Sequence, residues 1–137
     1  MSNEALQEKI RRFLDGSVYA VAGASTNREK YGNKVLRCYM QHGYEVYPVN
    51  PRADQVEGRP AFPDLASLPV RPHGVSFVTP PAVTRTMVEQ ALALGIENLW
   101  MQPGAEDDEA IAAAEKAGAN VIARGPCLLV TLGFRDE

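Results

Sequence analysis

Cysteine is scarce in this chain: Cys38 and Cys127 are the only two. Two thiols do not make a disulfide framework. Histidine is equally sparse, with His42 and His73 on separate segments, so no zinc-ligand spacing exists and no metal site is expected. Basic residues are not in excess. Fourteen Lys and Arg face seventeen Asp and Glu, for a formal charge of −3, which argues against a broad basic face for nucleic acid. No segment approaches the ~20 consecutive apolar residues of a membrane span. The opening Met1-Ser-Asn-Glu-Ala-Leu-Gln-Glu-Lys9 is mixed in charge and helix-like, unlike a secretory leader. With no repeat and no linker, residues 1–137 are expected to form a single domain, residues 1–16 being an N-terminal helix packed on its edge. The expected setting is cytoplasmic and reducing, with neither membrane nor nucleic acid as partner.

What is present is an alternation of short apolar runs and helical patterns. Leu6, Ile10, Phe13 and Leu14 recur at helical spacing, and Asp15-Gly16-Ser17 ends that helix. Val18–Ala22 reads as a buried strand. A helix from Gly32 to His42 follows, closed by Gly43, and Tyr44–Val49 reads as the second strand. Pro51, Pro60, Pro63, Pro69 and Pro72 make residues 50–73 an irregular crossover, with at most one short helical turn near Leu65. Strands are expected at 74–78, 97–101 and 120–123. The intervening helices would carry a Val83, Met87, Ala91, Leu94 stripe and span 106–117. After Cys127 there is room only for an extra strand or tail. This pattern predicts an α/β fold, a Rossmann-like, doubly wound parallel sheet of about five strands with flanking helices in three layers.

Ligands of such sheets bind beyond the carboxyl ends of the strands, where strand order reverses. Four segments stand at those ends: Gly23-Ala24-Ser25, Val49-Asn50-Pro51-Arg52, Thr79-Pro80-Pro81 and Gln102-Pro103-Gly104. The first departs from the dinucleotide fingerprint, because Ser25 and Arg28 stand where glycines would be expected and the next glycine is Gly32. The basic residues Arg28 and Lys34 near this loop suit a polyanion, while Lys30 reads as a solvated lysine. The second segment lacks the acidic residue that holds the ribose hydroxyls of NAD and carries Arg52 instead. That fits an adenosine ribose bearing a phosphate, as in NADP or coenzyme A, and the residues themselves leave both open.

Taken together, Gly23-Ala-Ser25, Tyr31-Gly-Asn-Lys34, Gly43-Tyr-Glu-Val-Tyr-Pro-Val-Asn-Pro51 and Leu99-Trp-Met-Gln102 followed by Gly104 resemble the small single-domain CoA-binding proteins. These are similar in turn to the CoA-binding domain of the succinyl-CoA synthetase α subunit. The resemblance implies that Gly23, Ser25 and the backbone up to Gly32 hold the pyrophosphate of CoA or an acyl-CoA. It implies that Asn50, Pro51 and Arg52 face the adenosine and its 3′-phosphate. Thr79, Pro80 and Pro81 would pack along the adenine or pantetheine, and Gln102, Pro103 and Gly104 would line the far wall.

No catalytic set accompanies these segments. A general base needs an oriented partner within hydrogen-bond reach, and His42 and His73 sit on different elements. Glu106, Asp107, Asp108 and Glu109 are suited to a helix N-terminus rather than to a metal. Cys38 reads as a buried hydrophobe. The leading expectation is a CoA-binding module acting as carrier, sensor or partner of an acyl-transfer enzyme, as monomer or homodimer. The alternatives are an NADP-dependent oxidoreductase domain and a redox-responsive interaction protein using Cys127.

Overall fold

The computed structural model describes residues 3–136. Five strands form one parallel sheet: β1 (Val18–Ala22), β2 (Glu45–Val49), β5 (Gly74–Phe77), β6 (Asn98–Met101) and β7 (Asn120–Ile122), in the order β2-β1-β5-β6-β7. Alternate residues of each strand enter different cores, as the two-residue period requires. Tyr19, Val21, Trp100 and Ile122 point to one face, and Ala20, Ala22, Val75, Phe77, Leu99 and Met101 to the other. The first face is covered by α1 (Asn3–Leu14), α2 (Tyr31–Gln41) and α5 (Leu128–Leu132). The second is covered by α3 (Pro81–Ala93) and α4 (Asp108–Lys116). A sheet buried on both faces is the reason its strands read as near-continuous apolar runs.

The N-terminal helix is fixed by aromatic packing. Phe13 stacks on Tyr19 at 5.3 Å between ring centroids and meets Trp100 edge-on at 5.2 Å. The Tyr19 hydroxyl donates to the Phe13 carbonyl at 2.6 Å. At the far sheet edge, the Asn120 amide donates to the Lys9 carbonyl at 2.9 Å. Arg85 on α3 forms two hydrogen bonds with Asp107, which caps α4 by accepting from Ala110 N–H at 2.9 Å. That arrangement locks the two helices of the second face together.

Three sequence expectations change. The crossover is not wholly irregular. A two-stranded hairpin, β3 (Gln55–Val56) and β4 (Arg59–Pro60), turns through Glu57 and Gly58, both at positive φ (51° and 78°). Its turn pairs glycine with a residue that rarely adopts that conformation, so the sequence signal is faint. The expected helical turn at Leu65 is present as a single 3-10 turn, Leu65–Ser67. Second, the chain beyond Cys127 forms α5, not a strand. Leu128 is buried and the Trp100 indole N–H holds the Pro126 carbonyl at 3.0 Å. Third, α3 buries Thr84, Val88 and Ala91, so the expected stripe is turned by one position: Ala91 belongs to the core face, but Val83 is 44% exposed and Leu94 36%. No helix among the described residues is long and apolar enough to cross a membrane.

Candidate ligand cleft

Strand order reverses between β1 and β5: the chain first crosses outward to β2, then returns past β1. Over the carboxyl ends of these strands lies a cleft of about 1140 Å³, walled by Gly23–Thr26, Lys30–Gly32, Val49–Ala53, Pro63, Asp64, Val78–Pro80 and one side of α3. Its floor is set by two glycines. Gly23 has φ +89°, and a Cβ there would lie 2.2 Å from the Val78 carbonyl oxygen. A Cβ on Gly32 would lie 2.0 Å from the Gly23 carbonyl oxygen. Only glycines let α2 start this close to the loop that follows β1.

The first-turn N–H groups of a helix have no intrahelical acceptor. In α2 they carry no side-chain cap, since Lys30 occupies the cap position without a capping bond and no acid stands in the first turn. Lys30, Tyr31 and Gly32 line the cleft, so this positive helix end faces it. Across the cleft, Asn50 ties the two loops together. Its amide donates to the Ala24 carbonyl at 2.8 Å, and its carbonyl oxygen accepts from Arg52 N–H at 2.7 Å. Lys30 and Arg52 bring positive charge, and Asp64 is the one carboxylate among the described residues lining the cleft. In a chain of net charge −3, that balance favours an anionic occupant.

The far wall is uncharged. Val83, Thr86, Met87 and Gln90 line the cleft from α3, on the face next to buried Thr84, Val88 and Ala91, and Met87 touches the core as well. The expected core residues Val83 and Met87 therefore form a cleft wall. Their i, i+3, i+4, i+7 repeat beside a second, buried stripe was the available signal.

The cleft gathers eleven of the expected site residues: Gly23, Ala24, Ser25, Tyr31, Gly32, Val49, Asn50, Pro51, Arg52, Thr79 and Pro80. Six others lie outside it. Arg28 faces Glu57 at 3.6 Å, and Lys34 faces Asp136 at 3.9 Å. Pro81 is the first residue of α3, a position that suits a missing N–H. Pro103 and Gly104 sit in the exposed exit of β6, where Gly104 N–H is held by the Glu106 carboxylate at 2.7 Å. Gln102 is fully buried: its carbonyl oxygen accepts from Leu128 N–H at 2.9 Å and from the Tyr31 hydroxyl at 3.3 Å. It fastens α5 to the sheet. Lys30, expected to be merely solvated, lines the cleft instead. Its position at a helix start, rather than its residue type, was the clue.

Beside this cluster the Tyr31 hydroxyl lies 2.6 Å from the Cys127 sulfur. Burial, reinforced by that bond, raises the Tyr31 pKa well above the ordinary phenol value. Cys38 is buried and its thiol is pushed up to about 11 by desolvation. No group of three or more metal-ligating side chains occurs among the described residues.

Residues 17–133 match the family described as CoA binding domain. The ADP-forming acetate–CoA ligase I of Archaeoglobus fulgidus is 25% identical over 130 residues, covering 87% of this chain and 19% of the ligase. The chain thus spans less than a fifth of that curated relative. Among solved structures, a conserved hypothetical protein from Pyrococcus furiosus is 39% identical with a TM-score of 0.78, covering 82% of this chain and 97% of the other. A hypothetical protein from Pyrococcus horikoshii OT3 is 32% identical with a TM-score of 0.84, covering 95% and 89%.

Proposed function

Since the chain belongs to the CoA binding domain family, we propose that it binds coenzyme A or an acyl-CoA in the cleft over the β1–β5 reversal. The observation that carries this reading is the uncapped start of α2, pressed onto Gly23 by the absence of a side chain at Gly32. A pyrophosphate there receives backbone N–H groups and the helix dipole together. Lys30 adds a cation, and the Ser25 hydroxyl, whose oxygen already accepts from Asn27 N–H at 3.0 Å, keeps its proton to donate.

Arg52 stands at the end of β2, where a carboxylate would select unphosphorylated ribose. In this reading it meets the ribose 3′-phosphate, and the α3 wall takes an uncharged portion of the ligand. The chain supplies binding and orientation. Neither histidine is placed as a base there: His42 bonds the Gly133 carbonyl and His73 the Arg12 carbonyl, each at 2.9 Å, and neither lines the cleft. Acyl transfer to the bound thiol would draw its reactive groups from outside this domain, in keeping with the 19% of the ligase that the match covers.

Calorimetric titration with CoA, dephospho-CoA, NADP and NAD tests the reading. CoA should bind most tightly. Arg52→Ala should weaken CoA by about five- to tenfold, the scale of a charge-assisted contact at an exposed side chain, and leave dephospho-CoA almost unchanged. Preference for NADP over CoA would transfer the chain to the oxidoreductase alternative, and equal losses for CoA and dephospho-CoA would remove Arg52 from the ribose phosphate.

A further inference from the structure

Residues 26–30 are exposed beside the cleft, yet the backbone of the Ser25–Lys30 loop is held from beneath by buried side chains. Asn33, fully buried in the first turn of α2, uses both of its amide protons. One goes to the Ser25 carbonyl at 2.8 Å and the other to the Glu57 carboxylate at 3.0 Å. Its carbonyl oxygen accepts from Arg37 Nε at 2.6 Å, and Arg37 Nη2 in turn donates to the Arg28 carbonyl at 3.0 Å. Glu57 also faces Arg28 at 3.6 Å. The hairpin tip is thereby joined to the loop through the buried Asn33 amide and through the Arg28 ion pair.

Glu57 stands at φ +51°, a conformation that costs a side-chain-bearing residue energy and that glycine adopts freely. The two-residue hairpin turn between Val56 and Arg59 requires positive φ at both of its central positions, so the turn sets the backbone there, and the choice of glutamate over glycine places a carboxylate on Asn33. Glu57 does not line the cleft, so any influence on a ligand must pass through the loop, by way of Asn33 and Arg28. We propose that Glu57, acting through Asn33, is a positioning residue that pre-shapes the Ser25–Lys30 loop for the phosphate end of the ligand. This rests on the CoA reading above. A loop ordered before binding does not have to be ordered during it, so affinity rises without any added contact.

The test compares wild type, Glu57→Gly and Glu57→Gln by CoA calorimetry, thermal melting and amide hydrogen exchange of residues 26–30 without ligand. Glu57→Gly relieves the positive φ but leaves a buried Asn33 N–H unpaired, so the two effects oppose each other and its Tm should stay within about 5 °C of wild type. It should nevertheless bind CoA about tenfold more weakly, the loss of one charge-assisted hydrogen bond, and its loop amides should exchange faster. Glu57→Gln keeps an acceptor for Asn33 and should bind within about threefold of wild type. Wild-type CoA affinity in Glu57→Gly, unchanged loop exchange, or an equal loss in Glu57→Gln would overturn the proposal. If wild type itself failed to bind CoA, the CoA reading would fall, while the exchange comparison would still decide whether Glu57 orders the loop.

Discussion

Gly32→Ala is the substitution whose consequence the structure defines most sharply. Alanine is ordinarily the better helix residue, by about 1 kcal/mol over glycine. At this position the added Cβ would lie 2.0 Å from the Gly23 carbonyl oxygen. Gly23 has no room to retreat, since any Cβ of its own would sit 2.2 Å from the Val78 carbonyl oxygen. Relief therefore requires α2 to withdraw from the β1 exit by roughly 1 Å, against the packing of Val35, Leu36 and Tyr39 in the core beneath it. Overpacking of this kind costs about 1–3 kcal/mol. Set against the helix-propensity gain, this leaves a net destabilisation of up to about 2 kcal/mol, or as much as roughly 10 °C in Tm for a domain of this size. CoA affinity should fall further than stability does, by tenfold or more, because the backbone donors move relative to one another. Thermal denaturation followed by circular dichroism and calorimetry on the folded variant measure the two effects. A variant that melts at or above the wild-type temperature and binds CoA normally would refute the reasoning. Gly104→Ala is the converse case, at positive φ (+96°) with nothing within 4 Å of an added Cβ: it should cost some stability through the backbone alone and leave CoA affinity unchanged.

Two further outcomes separate structural from binding roles. Gln102→Leu leaves Leu128 N–H without its acceptor and should cost about 1–3 kcal/mol by denaturant unfolding, while the folded variant retains wild-type CoA affinity; a selective loss of binding would return Gln102 to the ligand site. Asp107 has its pKa lowered from 3.8 to about 2, first by the Arg85 hydrogen bonds and next by Ala110 N–H. A depressed carboxylate stabilises the fold above its unfolded value and loses that contribution as pH falls through the folded one. Wild type should accordingly lose stability between about pH 4 and pH 2, and Asp107→Asn should show a shallower loss across that window in pH-dependent melting; parallel curves would contradict the assignment.

Most of the architecture was legible because parallel strands buried on both faces are short, apolar and separated by helices of clear period. The glycine at position 23 and the helix start at Gly32 marked the cleft correctly, since close backbone approach leaves a residue-type signature. Other features were hidden for physical reasons. Val83 and Met87 are apolar in either a core or a cleft wall, so hydrophobic periodicity alone could not orient α3. Gln102 lies at a strand exit, as ligand-facing residues do, yet its amide is taken by α5, an element too short to announce itself. Arg28 and Lys34 are as cationic as Lys30, but their partners Glu57 and Asp136 are distant in sequence. Charge near a loop said little about which charges line the cleft.

The central claim is that the pyrophosphate of CoA sits between the β1 exit and the start of α2. Backbone amide chemical shifts recorded during titration with CoA test it most directly. The account expects the largest shifts at Gly23–Ser25 and Lys30–Gly32, smaller ones at Asn50 and Arg52, and little change at Gly104. Shifts concentrated around Gln102 and Gly104, with the β1–α2 loop unmoved, would contradict it.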